Sequence, residues 1–338
     1  LTRKQRIEAF AALGRFLAGD SPDLAVAVDN AAVQNPWYTQ ENTRKQLKAI
    51  SGNLTTDRLH AWLAPYPDLE SDKSVGLVLA GNVPLVGFHD ILAVLLSGFR
   101  AQVKVSSEDG GLTAFVLEAL QNIEPGFAPK IDMVDRLSGF DLVIATGSDN
   151  SSRYFERYFG HRPHIIRRNR NSVAVLDGSE GRGELEALGE DIFSYFGMGC
   201  RSVSKLYFPK NYDITVFFGA LEKYKSVKDH HKYANNYDYN KSIYLINGDR
   251  HFDNGFLLLK EDAGMASPLA TVFYEEYENR TDVAQTLNAQ AAKIQCLVSQ
   301  SGIRTAVPAF PFGQSQCPGL SDYADGVDTL EFLFSIDN

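Results

Sequence analysis

Between Ser74 and Ser148, short runs of small and β-branched residues alternate with apolar helical stretches, and this alternation commits the chain to an α/β fold. SVGLVLAG, from Ser74 to Gly81, suits a buried parallel strand that ends on glycine. Asn82 to Leu85 follows, then a helix from Phe88 to Gly98, then a second strand, Ala101 to Val105, carrying Lys104. That is one βαβ unit with a right-handed crossover. A helix from Leu112 to Leu120 and a strand to about Val134 continue the pattern. The strand from Asp141 then runs straight into Gly147-Ser148 and a polar helix start, which places backbone N–H groups where a phosphate can sit.

The flanking segments extend the alternation. Helical spacing covers residues 2 to 19 and a second region from about Thr39 to Leu63. A helix over 184 to 196 is expected to deliver the chain to Cys200, followed by a strand at Leu206 to Phe208 and a helix from Ile214 to Tyr224. Ser242–Ile246, Phe256–Lys260, Pro268–Tyr274 and Cys296–Ser299 read as strands, and Thr281 to Lys293 as a helix. Thr329 to Ile336 is an alternating apolar tail suited to pairing with a sheet edge. The expected organisation has three parts. Residues 1–190 hold N-terminal helices and a dinucleotide-binding domain, 191–312 a catalytic domain, and 313–338 a tail returning to the cofactor and oligomerisation region.

Charge and cysteine usage exclude several classes. The net charge of -9 argues against nucleic acid as a partner. Three cysteines, far apart and odd in number, give no disulfide framework, and none forms a Cys-x-x-Cys pair. The seven histidines show no metal-ligand spacing, so no metal is expected. The first residues, LTRKQRIEAF, have no signal-peptide core behind them, and the longest apolar run, Ile91 to Leu96, is far too short to span a bilayer. The expectation is a soluble, cytoplasmic protein.

One thiol stands out. Cys200 follows a Gly-x-Gly turn, Gly197 and Gly199, after the apolar run Phe193 to Phe196. Glycines there admit close approach of a substrate carbonyl to sulfur, and the cations Arg201 and Lys205 favour a thiolate if they turn inward. An inert buried cysteine on a glycine bend is the competing reading. Arg167, Arg168 and Arg170, in the basic run from Arg162, are open to two readings, a solvated face or a phosphate site. The Tyr-rich stretch from Tyr233 to Tyr244 reads as packing, with an acyl pocket as the alternative.

GNVPL with Asn82, VKVSS with Lys104, ATGS with Gly147-Ser148 and GMGC with Cys200 stand in an order that resembles the aldehyde dehydrogenase superfamily, joined by a late PFG segment, Pro311 to Gly313. Within it the chain looks most like the LuxC-type acyl-CoA reductases, which make aldehydes from fatty acyl thioesters. The resemblance implies an aldehyde-dehydrogenase-like fold, a Rossmann-type cofactor domain plus an α/β catalytic domain. It implies Cys200 as the nucleophile and Asn82 as an amide donor to the oxyanion. Lys104, with Ser106 and Ser107 after it, is expected to meet the cofactor's adenosine ribose. Thr146, Gly147 and Ser148 are expected near its pyrophosphate and nicotinamide. The family also implies a homodimer formed through the C-terminal tail.

Departures from the superfamily refine the expectation. Hydrolytic members carry a water-activating glutamate before the cysteine, whereas the matching stretch here, Ile166 to Arg170, has no carboxylate. Water attack on the enzyme thioester is then slow, and coenzyme A competes as the exchanging thiol. The segment matching the ribose-binding glutamate is Gly264 to Pro268, again without one. At the position where NAD-preferring members often carry an acid stands Ser107, with Glu108 one step later; a hydroxyl tolerates a 2′-phosphate, so NADPH is expected with NADH possible. The expected activity is reduction of an acyl-CoA, with coenzyme A as leaving group, through a Cys200 acyl-thioester. A CoA-independent aldehyde dehydrogenase and an acyl-holding scaffold that does not reduce are the alternatives.

Overall fold

The computed structural model describes residues 1–336 and divides into two compact units, residues 1–169 with the chain from Gly319 onward, and Arg170–Pro318. The first unit opens with four helices: α1 (Arg3–Leu17), α2 (Pro22–Gln34), α3 (Gln40–Asn53) and α4 (Thr56–Leu63). Each begins on a hydroxyl cap, Thr2, Ser21, Thr39 and Thr55, whose oxygen accepts a backbone N–H of the first turn. Two sequence expectations change here. Between the two helical regions read from the sequence lies a further helix, α2, because proline fits the first helical position and Ser21 caps it. The region from Thr39 to Leu63 is two helices, broken where Leu54 leaves helical geometry (ψ 54°) and Thr55 caps the next.

Next come β1 (Ser74–Val78), α5 (Phe88–Leu96), β2 (Arg100–Lys104), α6 (Leu112–Ile123), β3 (Ile131–Met133), β4 (Leu142–Thr146), α7 (Asp149–Phe159) and β5 (His164–Arg167). The sheet is parallel throughout, in the order β3-β2-β1-β4-β5. β1 is the topological switch: β2 and β3 lie on one side, β4 and β5 on the other. Open α/β sheets bind ligands outside the carboxyl ends of the strands at such a point.

The second unit holds β6 (Asn171–Val175), α8 (Arg182–Phe193), β7 (Val203–Pro209), α9 (Ile214–Leu221), α10 (His231–Asn247), β8 (His251–Asp253), β9 (Leu258–Glu261), β10 (Thr271–Tyr277), α11 (Arg280–Ala289), β11 (Ile294–Val298) and β12 (Ala309–Phe310). Its sheet runs β12-β11-β6-β7-β10-β9-β8, parallel except for β8, which is antiparallel to β9. β6 sits between β11 and β7, so residues 170–190 belong with this unit, whereas the sequence reading set the join near 190. The chain from Gly319 returns to the first unit and forms α12 (Thr329–Phe334).

Two expected strands are helical. Ser242–Ile246 closes α10, whose buried face carries Tyr233, Tyr237, Asn240 and Tyr244 at helical spacing, with Gly248 as a left-handed cap (φ 71°). The exposed Leu245 and Ile246 created the strand-like pattern. The tail Thr329–Ile336 does not form a strand either. Asp328 caps α12, and burial of Leu330, Leu333 and Phe334 in the first unit's core stabilises the helix. Among the described residues no helix is long and apolar enough to cross a membrane.

Candidate active site

The first unit gathers the residues singled out for a cofactor at the carboxyl edge of its sheet. In register, Val78 of β1 lies beside Lys104 of β2 and Ala145 of β4, so Lys104 and Thr146 end neighbouring ladders on either side of β1. Asn82 follows β1, and Ser106 and Ser107 follow β2. The loop after β1 is held from below. The wholly buried Tyr38 donates its hydroxyl to Gly81 O at 2.8 Å, with Val83 O at 3.2 Å. Burial raises the Tyr38 pKa first, then the charges of Asp109 and Glu108, so the phenol stays a donor. A Cβ on Gly81 would come within 2.7 Å of Ser106, and one on Gly147 within 2.8 Å of Phe155 and Ser151. Both glycines are thus required by close packing within the unit, and the short polar side chains of Ser106, Ser107 and Ser148 lie by a switch point, where open α/β sheets take a dinucleotide.

The Thr146-Gly147-Ser148 turn is more committed than its sequence implied. Gly147 N–H donates to Arg167 O at 3.3 Å. The Ser148 hydroxyl accepts from Ser151 N–H as the N-cap of α7. What this turn offers an anion is the positive N-terminal end of α7.

Of the three arginines open to a phosphate reading, Arg167 is already engaged. Its side chain is buried at the end of β5, pairing with Asp90 of α5 at 2.7 Å. It also donates to Ala324 O at 2.7 Å and Thr329 Oγ1 at 2.8 Å. Burial opposes the guanidinium charge, but Asp90 outweighs it and holds the pKa above its ordinary value. The phosphate reading therefore fails for Arg167, which instead ties the returning C-terminal segment to β5. Arg168 is exposed and pairs with Glu156.

The second unit builds the cysteine turn. After α8, Tyr195, Phe196 and Gly197 all take left-handed backbone (φ 53°, 58° and 79°) before the chain reaches Cys200 and enters β7. Left-handed geometry costs a non-glycine residue on the order of 1–2 kcal/mol. Burial of both rings offsets it, with Phe196 packed on His230 at 4.3 Å between ring centroids. Cys200 itself is half-buried. Gly199 O accepts from Ser202 N–H at 2.9 Å, and Ser202 Oγ accepts from Gly199 N–H at 3.3 Å. Cys200 O accepts from Ser172 Oγ at 2.8 Å.

A second support comes from the PFG segment. Asp191 of α8, fully buried, accepts from Gly313 N–H at 2.6 Å, Ser315 N–H at 3.0 Å and Ser315 Oγ at 2.7 Å. Burial pushes the Asp191 carboxyl up, with those donors pulling against it. The loop so fixed reaches the cysteine turn: Gln316 Nε2 donates to Ser202 Oγ at 3.3 Å, and the Arg201 guanidinium lies 5.4 Å from the Phe310 ring centre. Cys296 is buried on β11 and Cys317 is exposed.

Sequence reasoning missed Ser172, Asp191, Ser202 and Gln316. Asp191 left no distinct signal, since it follows Glu190 in a helix that also carries Glu184 and Glu186. Ser172 left none, because only the sheet register brings it to Cys200.

A parallel switch-point sheet followed by an α/β unit with a thiol on a strained turn is the aldehyde dehydrogenase fold. Aldehyde dehydrogenase 21 of Physcomitrella patens, in complex with succinate, superposes with a TM-score of 0.69 at 12% identity, over 98% of this chain and 83% of that one. A variant of the P. syringae indole-3-acetaldehyde dehydrogenase AldA bound to NAD+ gives 0.65 at 11% identity, over 90% and 72%. The Staphylococcus aureus betaine aldehyde dehydrogenase bound to NAD+ gives 0.64 at 13%, over 94% and 72%. No curated protein matches in sequence. Residues 70–223, which span Asn82, Lys104, Gly147 and Cys200, match the family model for acyl-CoA reductase (LuxC).

Proposed function

We propose that the chain reduces an acyl-CoA, of fatty acyl type, to an aldehyde through a Cys200 acyl-thioester, with NADPH as the reductant. The observation that carries the choice of reduction over hydrolysis is the end of β5. Ile166 to Arg170 has no carboxylate, and Arg167 there is locked in an ion pair with Asp90. With no general base of that kind, water gains no help in attacking the acyl-enzyme. The LuxC match and the NAD+ complexes of structural neighbours support an acyl thioester substrate and a nicotinamide cofactor.

When bound, a reduced nicotinamide supplies a hydride. Lys104, Ser106 and Ser107 are assigned to its adenosine end, and Thr146 to Ser148 with the N-terminus of α7 to its pyrophosphate and nicotinamide. Ser107, in place of an acid, favours NADPH. The Cys200 thiolate attacks the thioester carbonyl, the carbon–sulfur bond to coenzyme A breaks, and the departing thiolate takes up a proton. Asn82 and the Cys200 N–H are assigned to the negative oxygen that develops, where one preset donor contributes on the order of 3 kcal/mol. Once the acyl carbon is reduced, Cys200 leaves as thiolate and aldehyde is released. A cytoplasmic homodimer is part of the same proposal.

The test is incubation with acyl-CoAs of graded length, following NADPH consumption and intact mass together. We expect an acyl adduct on Cys200 and aldehyde as product, and expect Cys200→Ala to lose both adduct and NADPH oxidation. Normal turnover in that variant refutes the assignment, and NAD(P)-linked oxidation of an aldehyde to free acid without coenzyme A supports the CoA-independent dehydrogenase instead.

A further inference from the structure

Behind the nucleophile the second sheet places a buried hydroxyl that the proposed mechanism does not use. Ser172, on β6, pairs in register with Val203, the first residue of β7, and is fully buried. Its Oγ lies 2.8 Å from Cys200 O and 3.1 Å from Cys296 Sγ. Proton counting orders the three groups. A serine hydroxyl has one proton and a carbonyl only accepts, so Ser172 donates to Cys200 O. Its lone pairs then face Cys296, whose thiol is the donor at 3.1 Å.

The other side of Cys200 is fixed as well, because Gly199 O accepts from Ser202 N–H at 2.9 Å. The peptide before the Cys200 α-carbon, which carries the Cys200 N–H, is thus held through its carbonyl, and the peptide after it through Ser172. Together these bonds set both backbone torsions of the residue. We infer that Ser172 is a positioning residue for the Cys200 nucleophile, and that the Cys296 thiol orients the Ser172 hydroxyl. Removing the hydroxyl releases the second peptide and with it the Cys200 α-carbon, so the thiol loses its fixed placement relative to the Cys200 N–H, which Ser202 still holds on the other side. The role assigned to Cys296 is therefore donation to Ser172, with no part in the attack on substrate.

The inference rests on Cys200 as the nucleophile, but not on coenzyme A or a nicotinamide, and its test uses neither. The probe is p-nitrophenyl acetate. The Cys200 thiolate attacks the ester carbon, the carbon–sulfur bond forms, the bond to p-nitrophenolate breaks, and the thiol's proton passes to solvent. The burst of nitrophenolate and the acetylated Cys200 peptide in the mass spectrum report the rate at that residue. The control is iodoacetamide alkylation at the same peptide, a displacement at saturated carbon that develops no oxyanion.

We expect Ser172→Ala to slow acetylation about tenfold, less than deleting an oxyanion donor outright, with KM and the alkylation rate unchanged. Cys296→Ala should give a smaller loss, and Cys296→Ser, which keeps a donor, should restore the rate. Wild-type acetylation in Ser172→Ala overturns the inference. So does an equal fall in acetylation and alkylation, which marks general damage to the turn. Equal losses in Cys296→Ala and Cys296→Ser overturn the part given to the thiol, and this pair carries the test if Ser172→Ala does not fold. Failure of the wild type to reduce acyl-CoA, with acetylation intact, counts against the proposed function alone.

Discussion

Asp90→Ala is the most severe single test of the first unit. It leaves the Arg167 guanidinium, whose side chain is 4% exposed, with Ala324 O and Thr329 Oγ1 as acceptors and the weaker field of Asp325 as its remaining negative charge. Breaking one side of a buried pair costs about 3–5 kcal/mol, because the remaining charge stays desolvated. Thr329→Val removes one charge-assisted bond at 2.8 Å and costs about 1.5–3 kcal/mol. The double variant Asp90→Leu, Arg167→Met removes both charges, and such replacements are often neutral or stabilising, but it also strips the donor from Ala324 O and Thr329 at about 1–3 kcal/mol each. It should therefore cost less than adding the single losses at Asp90 and Arg167, and the cycle should show strong coupling. Two units make a single two-state unfolding energy ill-defined, so the readout is local: amide hydrogen exchange in α12 and at the end of β5. Faster exchange in α12 for both single variants, larger for Asp90→Ala, is the expected result. An unchanged α12 in Asp90→Ala, or an effect under about 1 kcal/mol, means the pair is not desolvated and refutes the reasoning.

Further expectations follow from the same geometry. Gly81→Ala puts a Cβ 2.7 Å from Ser106, an overpacking worth about 1–3 kcal/mol; a fluorescence titration should show weaker NADPH binding, and unaltered affinity argues against this edge as the cofactor site. Asp191→Ala strands the donors of Gly313 and Ser315 and should raise exchange across 313–316 while slowing Cys200 acylation; a change in exchange alone removes the PFG loop from the catalytic support. At Asp253 burial works against the charge, yet hydrogen bonds from Lys241, Tyr237 and Gly255 N–H win and hold the carboxyl below its ordinary value. That stabilisation is present above about pH 4 and is lost as pH falls through the lower folded value, so Asp253→Asn should flatten the acid limb of melting curves below that pH. A limb identical to the wild type contradicts it.

The sheet of the first unit was legible because its strands are short, apolar and closed by glycine or polar turns, as in Ser74–Gly81 and Leu142–Ser148. Two segments misled for one physical reason: apolar residues on a helix can mimic a strand when tertiary burial selects only some of them. In α10 the buried stripe is Tyr233, Tyr237 and Tyr244, while Leu245 and Ile246 face solvent. In α12 the local pattern alternates, but Leu330, Leu333 and Phe334 are the residues the core accepts, and their spacing is helical.

The residues that carry proposed chemistry were visible because reactive groups sit in short local motifs: Cys200 after two glycines, Lys104 at a strand end, Gly147-Ser148 in a turn. The residues that hold them were not, since their partners are distant in sequence. Ser172 meets Cys200 across 28 positions, Asp191 meets Ser315 across 124, and Arg167 meets Thr329 across 162. None has a pattern of its own, and each becomes specific only once two strands or a returning segment are in register. The cysteine turn shows why such support is needed. Tyr195 and Phe196 stand in left-handed geometry that local propensity resists. A turn of that kind relaxes unless its neighbours over-determine it. Here buried rings hold one side, and Ser172, Ser202 and the Asp191-bound loop hold the other, so the strained stretch and its distant hydrogen bonds are two parts of one device for presenting a thiol.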